Sequence, residues 1–301
     1  MNRPEQAAPD QPRARPATDG LALSLEVAAT VGYGVWLLLG LALALGVYSA
    51  GRGEVLVPLL LGAILLSLGL PLACLPRQIA PAWHGWRPGR GVWPGREAML
   101  ALTCYGPMLA LAGLARGGND FWATRVAGAV LTLAALAMLI YGSPGADRAS
   151  PEGERQVAAQ WRLNRVVSAL YGGGLWLWLC VAGQGPQDRI GDLHPWILGL
   201  LLIALVLGLV EGGRWQLLQP AEPTLSERPA RRYRQLDGRQ VLAAVLSYAV
   251  PCLCLLCAEL VRDAVPLAAA AGLFYLLGRV LEQQLYFRAV WRHRREAQRF
   301  G

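Results

Sequence analysis

Apolar residues fall into eight long runs along this chain, separated by short polar segments rich in arginine. A bilayer core needs about 20 apolar residues per helical span. The run from Val55 to Pro76, bracketed by Glu54 and Arg77 with no charge inside, has that length. The pattern predicts helices near 24–49, 55–75, 98–115, 124–143, 164–183, 194–213, 240–261 and 265–290. Apolarity is continuous within each run and does not alternate, which excludes a β-barrel. The expected fold class is all-α, an integral membrane bundle of eight transmembrane helices over residues 23–291. Residues 1–22 read as a disordered N-terminal tail, because Met1 to Gly20 carries prolines and mixed charges with no apolar run to offset ordering entropy. Residues 292–301 read as a basic C-terminal tail. The first run, Val27 to Gly51, is too long for a signal-peptide core and lacks a basic lead-in, so it reads as a retained span. Trp122, Trp161, Trp196, Trp215 and Trp291 fall at span ends, where an indole sits among headgroups.

Composition sharpens this picture. Hydrophobic residues make up 54% and charged residues 16% of the chain, against about 25% charged in a soluble domain, so an ordinary globular enzyme is excluded. The net charge of +8 comes from arginine, since no lysine occurs. Arginine confined to loops suits membrane orientation and lipid headgroups better than nucleic acid. Only Arg52, Arg116, Arg125, Arg189 and Arg262 fall on the side opposite the N-terminus. By the positive-inside rule, both termini are expected in the cytoplasm. An arginine-rich face also suits docking of an acidic partner subunit.

Candidate chemistry is sparse. The only histidines are His84, His194 and His293, all outside the spans, so no bis-histidine haem is expected in the bundle. Cys252, Cys254 and Cys257 form a C-x-C-x-x-C run inside the seventh span, with no histidine or carboxylate cluster beside it. There cysteine reads as a small hydrophobe, and no metal is expected. Ionisable residues in or beside the bilayer are better pointers because each is costly there. They are Glu97, Glu211, Glu259, Arg279 and Glu282. Arg279 and Glu282, three apart on one helix face, can form an ion pair. That pair either marks a polar pathway or merely neutralises itself and locks the last helix to its neighbours.

The densest polar and aromatic stretch is the second interhelical connection, LPRQIAPAWHGWRPGRGVWPGREAMLALTCYG, from Leu75 to Gly106. It gathers Arg77, Trp83, His84, Trp86, Arg87, Arg90, Trp93, Arg96 and Glu97. Flat apolar walls with a proton acceptor near each hydroxyl are what an amphipathic ring ligand such as a quinol needs. An interfacial loop anchored by tryptophans is the plainer alternative.

Three short motifs carry a resemblance. Pro81-Ala82-Trp83 followed by Gly95-Arg96-Glu97-Ala98, then Met138-Leu139-Ile140-Tyr141, then Gly278-Arg279 with Glu282-Gln283-Gln284-Leu285-Tyr286-Phe287, resemble segments of the dimethyl sulfoxide reductase membrane-anchor subunit family. That resemblance implies eight spans in a bacterial cytoplasmic (inner) membrane and a role in anaerobic electron transport. It implies an anchor that tethers an iron–sulfur (ferredoxin-like) subunit and a molybdopterin catalytic subunit, and that oxidises menaquinol or another quinol without haem. Glu97 matches the acidic residue associated with the family's quinol site, with Arg96, His84, Trp83, Trp93 and Arg77 as the expected surroundings. The chain departs from the pattern at Leu75, near where the family carries a histidine, and at Gln283, where the last-helix motif carries arginine. His84 could compensate for the first. A structural anchor with a lost quinol site, and a small-solute transporter using Glu211, Glu259 and the Arg279–Glu282 pair, are the rival readings.

Overall fold

A computed structural model describes residues 16–48, 52–75, 81–88, 93–115, 121–142, 153–184, 194–217, 238–261 and 264–300. Eight helices in it are long and apolar enough to cross a membrane: α1 Gly20–Ala44, α2 Glu54–Ala73, α3 Arg96–Leu114, α4 Trp122–Tyr141, α5 Ala159–Ala182, α6 Pro195–Trp215, α7 Gly238–Ala258 and α8 Val265–Ala289. The only extended pairing among the described residues is an isolated bridge between Trp83 and Trp86. The chain is therefore a multi-pass all-α membrane bundle. Large apolar side chains such as Leu60, Leu133, Leu209, Leu253 and Leu277 point outward, as they must where lipid is the solvent.

The helical rod around α1 starts earlier than the apolar run, at Pro16, so residues 16–22 prolong the first helix. It stops at Ala44 because Gly46 adopts φ +71°. The Gly46 amide then donates to Leu43 O at 3.1 Å and the Val47 amide to Ala42 O at 3.0 Å, the Schellman closure that only glycine enters without strain. At the other end of the chain the helix continues through the basic segment to Phe300.

Three spans are interrupted, each four residues before a proline that has no amide to donate. The α2 rod breaks after Ser67, opposite Pro71, and α3 breaks after Thr103, opposite Pro107. In α7 the backbone widens into a π turn at Val245–Ala249, where Pro251 cannot bond Ser247. Pro58 inside α2 likewise frees the Glu54 carbonyl. Tyr48 OH and Gln184 Nε2 donate to it at 3.3 and 2.9 Å, so that carbonyl is not stranded.

Span α1 is the hub of the bundle, packed against α2, α4, α5 and α8. Glycine pairs set how closely it approaches three of them. Gly32 lies against the Gly62 backbone of α2, Gly34 against Ala169 and Gly173 of α5, and Gly40 against Gly128 of α4. Without a hydrophobic drive between helices in lipid, small residues that let backbones touch supply the packing energy. One apolar cluster gathers α1 to α4 around Trp36 and Leu131, and a second gathers α5 to α8 around Tyr171 and Tyr275. The bundle thus has two four-helix halves, and α1 and α5 place residues in both clusters.

Candidate functional site

Two polar sites among the described residues lie at the end where α1 begins, hereafter the proximal end. In the first half, the connection between α2 and α3 folds back as a two-residue turn, Trp83-His84-Gly85-Trp86. Its ends exchange amides, Trp83 N to Trp86 O at 3.0 Å and Trp86 N to Trp83 O at 2.8 Å. The central residues take positive φ, +43° at His84 and +75° at Gly85. Left-handed backbone at a non-glycine residue costs about 1–2 kcal/mol, and such strain persists only where the surroundings over-determine it. Here Trp83 supplies that determination: it is buried beneath the loop and its indole donates to Leu66 O of α2 at 3.1 Å.

The turn aims the imidazole inward. His84 Nε2 lies 3.4 Å from Tyr33 OH of α1, and the His84 and Trp83 rings meet edge-on with centroids 4.7 Å apart. Behind them the aromatic stack continues through Trp36, edge-on to Tyr33 at 6.5 Å and to Tyr105 at 5.4 Å. Tyr105 OH shares a 2.7 Å hydrogen bond with Ser67, and Trp36 donates to Leu59 O at 3.0 Å. Burial, reinforced by the positive charge of Arg165, pulls the His84 pKa down from 6.5 to about 4. The ring is therefore neutral near pH 7, with one nitrogen able to accept a hydrogen bond.

Glu97 stands in the first turn of α3, half-buried, where the helix dipole favours a carboxylate. Arg96 beside it is exposed, and Trp93 is 87% exposed and faces outward. Arg87 pins the loop to the end of α2, its Nη1 donating to Leu75 O at 3.2 Å. Arg77 lies outside the described residues. The structure thus brings Trp83 and His84 together and turns Trp93 away from them. Tyr33, Trp36, Tyr105 and Ser67 complete the aromatic site and were not anticipated. Their one signal in the sequence is a polar or ring-bearing residue inside an otherwise apolar run.

The second half holds a buried ionic chain. Arg279 Nη1 of α8 donates to Glu282 at 2.6 Å and to Glu211 Oε2 of α6 at 3.4 Å. Arg214 Nη1 reaches both oxygens of Glu211, at 3.0 and 3.2 Å. Side-chain exposure in these pairs is at most 9%. The Arg214 guanidinium also lies over the Tyr286 and Trp161 rings, 3.8 and 4.7 Å from their centroids. Charges alternate along the chain, so each desolvated ion has an opposite neighbour. Arg279 and Glu282 pair as expected, while Arg214, read from sequence as a loop arginine, belongs to the same network. Glu259 is exposed at the far end of α7, remote from this chain of charges.

Arg165, likewise a loop arginine by sequence, is buried on α5 and donates to Gly142 O at 2.7 Å, capping α4. Between α1, α5 and α8 lies a small recess lined by Glu26, Thr30, Trp161, Asn164, Arg165, Ser168, Arg279 and Gln283.

Comparison of the chain with family models, curated proteins and solved structures gives no match.

What the site can do must follow from its own chemistry. Among the described residues no three His, Cys, Asp or Glu side chains converge as metal ligands would. Cys252 instead lies 3.7 Å from Tyr171 OH, as a packing residue with a weak polar contact. The aromatic site offers ring walls and a neutral imidazole, and the same connection ends in a span-mouth carboxylate. The ionic chain offers fixed charge.

Proposed function

We propose that this chain is the membrane anchor of a molybdopterin oxidoreductase, oxidising menaquinol or another quinol at its proximal end and passing the electrons to the nearest cluster of an iron–sulfur partner subunit. The observation that carries the reading is the left-handed turn that packs a neutral histidine among aromatic rings beside a buried tyrosine hydroxyl. A quinol losing two electrons also releases two protons, so its site needs acceptors within hydrogen-bond reach of the ring hydroxyls. His84 fits the first role in its neutral form. Glu97, at the mouth of α3 in the same connection, fits the second as a carboxylate. Trp83 and Trp86 supply flat walls at headgroup depth, and the exposed Arg96 and half-buried Arg87 suit lipid or substrate oxygen. His84 would also replace the histidine that the resemblance puts near Leu75. The arginine bias supports both termini inside and leaves a basic face for the iron–sulfur and molybdopterin subunits, and the resemblance implies a bacterial cytoplasmic membrane as the setting.

The test is quinol-dependent reduction through the assembled complex. Glu97→Gln should abolish it while the subunits still copurify, and His84→Asn, which keeps a residue tolerant of the left-handed turn, should weaken quinone affinity. Unchanged turnover in both variants would contradict the reading. A second reading, an anchor without a quinol site, is favoured by the half-exposed Leu75 standing where a histidine is expected. Quinone recovered from the purified protein would exclude it.

A further inference from the structure

The recess between α1, α5 and α8 is lined by more polar groups than the protein itself satisfies. Its two hydroxyls are committed: Thr30 Oγ1 donates to Glu26 O at 2.8 Å, and Ser168 Oγ shares a 2.9 Å hydrogen bond with Tyr275 OH. Other polar atoms of its lining residues are not. Asn164 Oδ1, Arg165 Nε, Arg279 Nε and Gln283 Oε1 are buried without a partner, two acceptors and two donors. Asn164 is 5% exposed, Arg165 7% and Arg279 2%, so bulk solvent does not serve them. A buried polar group left without its bond costs about 1–3 kcal/mol. Several around one recess call for a ligand that supplies the missing bonds.

Charge decides what kind of ligand fits. Arg279 belongs to the ion chain, where two arginines already face two glutamates. The other charges on the recess wall are Glu26 of α1 and Arg165 of α5. Neither takes part in an ion pair among the described residues. Arg165 is drawn toward α4 instead, where its Nη1 donates to Gly142 O at 2.7 Å. The recess therefore balances to zero, with one negative and one positive wall. A bare anion would meet Glu26, and a bare cation would meet Arg165. A neutral group that both donates and accepts suits both walls, and a hydroxyl is such a group. Size agrees, since the recess has room for about one or two waters. Depth agrees as well. Glu26, Asn164 and Gln283 lie about 8–9 Å inside the proximal ends of their spans at 1.5 Å per residue, just beneath the headgroup layer.

We propose that this recess is a binding site for one or two hydroxyl groups, which bridge Glu26 of α1 to Arg165 of α5 and complete the hydrogen bonds of Asn164 and Gln283. The hydroxyls come from water or from the glycerol headgroup of phosphatidylglycerol in the proximal leaflet. Either source ties α1, which packs against four other spans, to α5 and α8 through a polar contact that the side chains do not make directly. The site stands apart from the quinol reading and survives its failure.

Hydroxyl-radical footprinting of the full chain in lipid nanodiscs tests it, because radicals made by X-ray pulses from bound water label the side chain beside that water, here Trp161. In phosphatidylethanolamine discs, whose headgroups carry no hydroxyl, labelling of Trp161 should be severalfold stronger in the wild type than in Asn164→Leu or Gln283→Leu, which fill the recess from α5 and from α8. Labelling absent from the wild type, or equal in all three proteins, overturns the proposal, and variants on two different helices keep one misfolded protein from deciding it. Phosphatidylglycerol discs separate the sources. Wild-type labelling that falls severalfold there, with phosphatidylglycerol retained by the purified protein in native mass spectrometry, supports the site with the headgroup as its occupant, and unchanged labelling supports it with water.

Discussion

The two halves of the bundle solve the same problem, polar groups in an apolar solvent, by opposite means. Around α1 to α4 the polar groups are neutral: an imidazole, tyrosine and serine hydroxyls and indole amides, each directed at another side chain or a backbone carbonyl. Around α5 to α8, beside the neutral Ser168–Tyr275 hydrogen bond, lies an alternating chain of two arginines and two glutamates. A buried neutral group left without its partner costs about 1–3 kcal/mol. A buried ion left without its partner costs more, about 3–5 kcal/mol. The first half can therefore exchange a side-chain contact for a ligand contact at smaller cost. The second is tied together by its charges, and exchanging any one of them is costly.

The largest effect expected from breaking this contrast is in the second half. Arg279→Leu leaves Glu282 without its cation and should destabilise the protein in detergent by about 3–5 kcal/mol. The Arg279→Leu/Glu282→Leu double variant should recover a substantial part, because Glu211 keeps Arg214. A double variant no more stable than the single one would show that the network does not act as paired charges.

The next is pH dependence in the first half. His84 has a folded pKa of about 4, below its ordinary 6.5, so between those values the unfolded chain binds more protons. Stability contributed by the neutral ring is fully present above pH 6.5 and is lost as pH falls toward 4. The loss is bounded at about 3 kcal/mol. His84→Asn should flatten this part of the profile while accepting the positive φ, and thermal unfolding against pH would show it.

At the seam between the halves, a Cβ at Gly34 would collide with the Ala169 carbonyl of α5. Gly34→Ala should cost about 1–3 kcal/mol through overpacking and should disturb both clusters together. The smallest effect belongs to Trp83→Phe. It removes one indole hydrogen bond to Leu66 O while keeping a ring in place, at a cost of about 0.5–1.5 kcal/mol.

Much of the fold could be read from the chain because lipid imposes one strict rule, that backbone polar groups be satisfied within each span. Continuous apolar runs therefore located all eight helices to within a few residues of their observed positions. The ends were less legible. A Schellman closure at Gly46 stops the first helix short of the apolar run, and Pro16 starts it before that run begins. The site was legible where residues are neighbours in sequence, as for Trp83 with His84 and for Arg279 with Glu282. It was hidden where the partner comes from a distant span, as with Tyr33 facing His84 and Arg214 facing Glu211. Arg165 and Arg214 looked like loop charges because each sits within a turn of a span end. The direction a helix faces, which periodicity in a uniformly apolar run cannot reveal, decides that both are buried.

Saturable binding of a quinone to the purified chain, followed by quenching of tryptophan fluorescence, tests the central claim most directly, since Trp83 and Trp86 would form the walls of the site. The expected result is saturable quenching in the wild type, weakened at least about tenfold in Glu97→Gln or His84→Asn, which corresponds to about 1.4 kcal/mol of lost binding. Quenching that fails to saturate, or that is identical in all three proteins, would contradict a quinol site at the proximal end of the first half.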